Sequence, residues 1–145
     1  MRTLLLSLVL IALASCARHQ TAQSPEEFVT TVQKAFDNRN ASELMKVTCW
    51  DRAPEEIRKS TEKSYTALVT QSNVLVDCKL VEPQLEFIDR DRVRDGVIYR
   101  PNLPVTKQLN VTFSDPKDNA RIIMRFTFAV GLKDGQLWLA SAAPK

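Results

Sequence analysis

Beyond residue 23 the chain has no histidine; its single one, His19, lies near the amino terminus. General acid–base chemistry near neutral pH falls most readily to a histidine, or to a carboxylate whose pKa burial has moved. Most carboxylates here stand beside Lys or Arg or in turns, where water and cations keep them ordinary. No hydrolytic or isomerase catalysis is therefore expected. Cysteine is scarce as well: Cys16, Cys49 and Cys78. Cys49 and Cys78 have no histidine or third thiol to complete a metal site, and no cofactor is expected. No sign of charge dominates. The 20 basic and 17 acidic residues alternate along the chain, whereas nucleic acid binding needs a concentrated basic footprint. Internal repeats and a second domain are also absent.

What is present begins with an apolar run, Leu4 to Leu13, behind the short basic start Met1-Arg2-Thr3. It is about half the ~20 residues a membrane-spanning helix needs, and has the layout of a secretory signal peptide. The run closes on Leu13-Ala14-Ser15-Cys16. This resembles the lipobox of bacterial lipoproteins, in which a diacylglycerol is placed on the Cys sulfur and a peptidase cuts just before it. Only a thiol supplies the nucleophile for that thioether, and only small side chains fit the peptidase beside the bond. The resemblance implies a signal peptide over 1–15, a lipidated Cys16 with a tether over 16–23, and a membrane partner through the lipid. Seven extended tether residues reach about 25 Å at most, which keeps the domain near the membrane. Ala17 is not the Asp that signals inner-membrane retention in enteric-type lipoproteins. The implied location is thus the outer membrane, facing the periplasm, where the host has one.

Residues 24–145 then read as one domain. Hydrophobic content is 44% and charged content 26%, which is ordinary for a globular protein. Ser24-Pro25-Glu26-Glu27 is a helix start with a capping box, and Phe28, Val32, Ala35 and Phe36 give the following helix one apolar face. Asn40 caps a second short helix with Leu44, Met45 and Val47. A third begins at Asp51 or Ala53 and runs to about Gln71, striped by Ile57, Thr61, Tyr65, Leu68 and Val69. From Asn73 the period changes to two. Strands are expected over Val74–Val81, Leu85–Arg94, Val97–Tyr99, Val105–Phe113, Ala120–Leu132 and Gln136–Ala142, with hairpin turns at Asp95-Gly96 and Asp134-Gly135. Ile122, Met124, Phe126, Phe128 and Val130 form one apolar strand face. The expected core joins Phe28, Val32, Phe36 and Leu68 to Val111, Phe126, Phe128 and Leu139.

Three helices followed by an antiparallel meander make an α+β plan, with the helices packed on one sheet face. Over Pro25–Arg39, Ala41–Gln71 and Val105–Ala142 this order resembles the cone-shaped nuclear transport factor two-like fold, with its curved antiparallel sheet. That fold hosts unrelated functions. Its enzyme members enclose a pocket, and ketosteroid isomerase there uses an Asp base with a Tyr and a protonated Asp. The resemblance makes Tyr65, Asp77, Tyr99 and Arg125 candidate pocket residues. The plainer alternative puts Asp77 and Lys79 in solvent and both tyrosines at the core edge.

Cys49 and Cys78 are an even remainder in an exported protein, which favours a disulfide; two separate buried thiols are the alternative. Ser60-Thr61-Glu62-Lys63 fits the S-x-x-K pattern of penicillin-recognising enzymes, but the companion motifs are missing and it reads as helix surface. Asp91 to Gly96 is a poor calcium loop, because Arg92 and Arg94 stand among the would-be ligands. Asp89 to Asp95 reads instead as a charged edge hairpin, with Arg90, Arg92 and Arg94 on one face. Trp50 is expected in the core; Trp138 fits either core or ligand contact. The sequence thus points to an envelope lipoprotein acting as a non-catalytic binding or scaffold module, with an envelope protein or a small ligand as partner. The rival is an enzyme or small-ligand binder that uses the interior of the cone.

Overall fold

The computed structural model describes residues 23–88 and 91–145, without the side chain of Phe87. Cys16, the signal segment and most of the tether lie outside the described residues, as do Asp89 and Arg90. The described chain is α+β. Its elements run α1 (Pro25–Asp37), α2 (Ala41–Lys46), β1 (Thr48–Cys49), α3 (Glu55–Val69), β2 (Leu75–Val81), α4 (Leu85–Ile88), β3 (Arg92–Arg94), β4 (Val97–Pro101), β5 (Val105–Asp115), β6 (Asp118–Lys133), β7 (Gln136–Ala140) and β8 (Ala142–Pro144). Among the described residues no helix is long and apolar enough to cross a membrane.

Local chemistry sets the helix starts. Ser24 Oγ accepts from the Glu27 amide at 3.1 Å, and the Glu27 carboxylate accepts from the Ser24 amide at 2.9 Å, closing the expected capping box. Asn40 caps α2 through the Ser42 amide. α3 starts behind Pro54, after a turn in which Arg52 takes a positive φ of 57°. Both hairpin turns follow the sequence: Asp95-Gly96 and Asp134-Gly135 have positive φ at both central positions, as a right-twisted hairpin requires.

The strands form two sheets rather than one meander. The larger has the order β1-β7-β6-β5-β2, and the smaller the order β3-β4-β8. Three expectations are corrected here. The larger sheet is mixed, because the two-residue β1 pairs in parallel with β7. The segment expected as a strand over Leu85–Arg94 is instead a single helical turn, α4, followed by the short edge strand β3. Its run Leu85-Glu86-Phe87-Ile88 lacks the strict alternation of a half-buried strand. The last expected strand is broken at Ser141, and its two pieces belong to different sheets.

Register places the core. Across β2, β5 and β6 the rows Val76–Phe113–Met124, Cys78–Val111–Phe126 and Leu80–Leu109–Phe128 share one face. Against it pack Phe28, Val32, Ala35 and Phe36 of α1, Leu44 of α2, and Tyr65, Leu68 and Val69 of α3. Phe36 and Phe126 each meet Phe113 edge-on, at 5.9 and 6.2 Å between ring centroids. α1 also reaches the sheet edge. Gln33 Nε2 donates to Val76 O and Gln33 Oε1 accepts from the Cys78 amide, both at 3.0 Å.

The disulfide expectation is also corrected: Cys49 and Cys78 are separate buried thiols. Cys49 sits on β1 at one edge of the five-stranded sheet and Cys78 on β2 at the other. Four strand spacings of about 4.8 Å separate them by far more than the ~7 Å that a disulfide tolerates between Cα atoms. Burial first, then Asp77 and Asp37, pushes the Cys78 thiol up to about 12.

Gly131 is a glycine for steric reasons. A Cβ there would stand 2.6 Å from Leu103 Cβ and 2.7 Å from Pro104 O, so the β4–β5 connection crosses directly over β6.

Phe126 lies on the expected face yet remains 36% exposed, whereas Phe113 is fully buried. Phe113→Ala should cost about 3–5 kcal/mol. Phe126→Ala should cost less than half as much, because one side of its ring borders open space. Chemical denaturation of the two variants measures both.

Candidate functional site

The space beside Phe126 is a half-open cavity of about 470 Å³. One wall is α3, through Ile57, Ser60, Thr61, Ser64 and Tyr65. Opposite lie Phe126–Ala129 of β6 and the β7–β8 junction, Ala140–Ala142, and the small sheet closes a side with Arg92, Tyr99, Arg100 and Pro101. It exists because the two sheets part company at this point. Two other hollows are more open to solvent and are lined by charged side chains, among them Asp51 and Lys133 in the first and Glu82 and Lys107 in the second. One, of about 410 Å³, lies by the half-buried Trp50 and Trp138. Both indole N–H groups there donate to main-chain carbonyls, and Arg58 stands 5.5 Å from the Trp50 ring centroid. The other, of about 480 Å³, follows the α1–β2 edge.

A single side chain fixes the junction. Asn102, in the β4–β5 connection, is buried. Its Nδ2 donates to Cys49 O at 2.8 Å and Asp51 O at 3.0 Å, and its Oδ1 accepts from the Ser141 amide at 2.8 Å. Its own amide donates to Ser141 O at 3.0 Å. The chain changes sheet three times, between β2 and β3, at 102–104 and at 141, and one residue locks the last two crossings to the end of β1. Ser141 is only 9% exposed. Its Oγ is, among the described residues, the one buried side-chain polar atom with no hydrogen-bond partner. Such a group carries a desolvation penalty of roughly 1–3 kcal/mol.

The candidate pocket residues divide into two pairs. Tyr65 and Tyr99 come together in this cavity. Tyr65 is buried, with its hydroxyl 3.0 Å from Thr48 Oγ1 and its ring edge-on to Phe128. Burial pushes its phenol up to about 12, against the lowering influence of Thr48, so it remains neutral at physiological pH. Asp77 and Arg125 are corrected out of the pocket. They lie with Thr112 in one row across the opposite, solvent-facing side of the large sheet. Strand alternation puts Val76 and Cys78 under the helices, so Asp77 must point away.

Sequence reasoning missed Asn102 and Ser141, because their roles depend on contacts between distant segments. It read Ser60 to Lys63 only as helix surface, although Ser60 and Thr61 are half-buried in the cavity wall. The expected charged hairpin edge is present in β3, where Arg92 and Arg94 are exposed. Asp91 is held by Arg100 and by Lys145 at 3.5 Å, and the Arg100 hydrogen bond leads in lowering its pKa. Among the described residues no cluster of His, Cys, Asp or Glu could hold a metal ion. Compared with family models, curated proteins and solved structures, the chain matches none at a significant level.

Asn102→Ala would strand the Ser141 amide and the carbonyls of Cys49 and Asp51. It should cost about 2–4 kcal/mol, read by chemical denaturation, and raise amide exchange at Ser141 first.

Proposed function

We propose that this protein is a lipid-anchored cell-envelope lipoprotein whose domain binds a small organic ligand between α3 and the two sheets, and does no chemistry on it. The observation that carries the binding half is the cavity itself. Its volume of about 470 Å³ is of the size that ligand sites take, and its walls combine aromatic and aliphatic surface with a few polar groups, as such sites do. A phenylalanine left 36% exposed in one wall is a cost that a bound molecule would relieve.

The absence of chemistry is argued from the groups that line the space. Among the described residues no carboxylate and no histidine does so. Tyr65 is held neutral by burial and is a poor base or nucleophile at neutral pH. The anchor rests on the run Leu4–Leu13 and on Leu13-Ala14-Ser15-Cys16. The nuclear transport factor two-like build, with three helices over a curved sheet, rests on the order of elements and on the helix-covered sheet face. A cavity between helix and sheet agrees with it.

Two outcomes are expected. In a bacterial host, Cys16→Ala should leave an unprocessed precursor that incorporates no lipid label, since stable anchoring needs at least two acyl chains. Persistent labelling of this variant would end the lipoprotein reading. For binding, the mature protein in phosphatidylcholine nanodiscs should take up 2-naphthoate by calorimetry, with Thr61→Phe, which fills the cavity, as the blank. Wild type should bind at least ten times more tightly than the blank. Equal heats from the two would end the ligand reading.

A further inference from the structure

The polar groups of the α3 wall have already spent their protons. Ser60 Oγ and Thr61 Oγ1 donate to Ile57 O at 3.0 and 2.8 Å, and Ser64 Oγ donates to Ser60 O at 3.0 Å. Thr48 Oγ1 donates to Leu44 O at 2.8 Å, so the 3.0 Å contact between Thr48 and Tyr65 takes its proton from the Tyr65 hydroxyl. A hydroxyl has one proton and two lone pairs. The hydroxyls of Ser60, Thr61 and Ser64 on the cavity wall are thereby left as acceptors. Serine and threonine on a helix often bond back to their own turn. Here three of them also share one wall with a tyrosine whose proton is likewise committed.

Across the cavity the ring of Phe126 is partly uncovered, and Tyr99 and Phe128 flank it. On the small sheet, Arg92 lines the cavity, is exposed, and makes no ion pair with any described residue. Its neighbour Asp91 is already held by Arg100 and Lys145.

We propose, resting on the ligand-binding reading above, that the ligand is a small hydroxy acid with a ring-sized apolar body. Its hydroxyl donates to the oxygens of α3, its ring covers Phe126, and its carboxylate faces Arg92. A molecule offering an ether or carbonyl to α3 would set lone pair against lone pair. One offering a hydroxyl meets acceptors already oriented by the helix. The selectivity thus comes from the direction of the proton, since a methyl ether fills similar space but cannot donate. Sites built to hydrogen-bond a hydroxyl discriminate strongly against analogues that lack it.

Three naphthalene acids separate the possibilities, titrated by calorimetry into the mature lipoprotein in phosphatidylcholine nanodiscs, with Thr61→Phe as the blank. 6-Hydroxy-2-naphthoate should bind at least tenfold more tightly than 6-methoxy-2-naphthoate and 2-naphthoate. The combined variant Ser60→Ala, Thr61→Val, Ser64→Ala leaves the helix hydrogen bonds intact and should reduce that preference to under threefold. Arg92→Gln should weaken all three acids about fivefold or more while keeping their order. If 2-naphthoate binds and the hydroxyl adds nothing, the donor assignment is overturned and the ligand-binding reading stands. If the preference survives in the combined variant, α3 is not its source and the inference fails. If Arg92→Gln leaves all three affinities unchanged, the acid assignment is overturned. If none of the three binds above the blank, the ligand-binding reading itself falls.

Discussion

The side chain of Asn102 holds together three segments that are otherwise distant in sequence. It grips the carbonyls of Cys49 and Asp51 and the amide of Ser141, while its own amide returns to Ser141 O. Such a buried, fully used amide specifies one arrangement, since any slip leaves several polar groups unpaired in a low-dielectric interior. Much of the fold follows from that clasp. β1 can pair in parallel with β7 because its end is held. β7 can pass into β8 because the break at Ser141 is supported from across the molecule. The two sheets diverge at the same place, and the cavity opens where they do.

Gly131 belongs to the same arrangement. The connection that carries Asn102 passes so close over β6 that a side chain at 131 would meet Leu103 and Pro104. Position 131 gives up a side chain so that the crossing can sit down on the sheet. On the other side of the core, α1 and α3 fill the helix-facing rows, and Phe28, Leu44, Leu109, Val111, Phe113 and Leu139 are essentially solvent-free. The protein is thus closely packed at one end of its sheet and deliberately less so beside Phe126.

Much of this was legible in the residues. The capping box at Ser24, the apolar face of α1 and the two Asp-Gly turns are local signals whose physics needs no partner. The alternation of β5 and β6 set the correct face for Val111, Phe126 and Phe128. It could not say how far the helices would extend over that face, so Phe126 is more exposed than its pattern implies. The parallel β1 was invisible, because two residues carry no periodicity. The break at Ser141 was invisible because Leu137 to Ala142 contains no Gly, Pro or other breaker, and the cause of the break lies 39 residues away in Asn102. Of the candidate site, the two tyrosines were legible as amphipathic residues at a core edge. Asp77 and Arg125 were drawn in by resemblance alone, and strand parity sends both outward. The cysteines show the same limit: an even count says nothing about which edge of a sheet each occupies.

Gln33 has a bearing on the molecule's dealings with its own copies. β2 is an outer strand of the large sheet, and an outer strand offers unpaired amides and carbonyls to any chain that comes alongside. The glutamine amide occupies the Val76 carbonyl and the Cys78 amide together, imitating the rung that a neighbouring strand would supply. The opposite border, β1, is only two residues long. The middle of one border is thus occupied from within the molecule, and the other is too short to offer a ladder. Copies crowded on a common surface would then find the middle of β2 already taken, and a single uncharged side chain is what takes it.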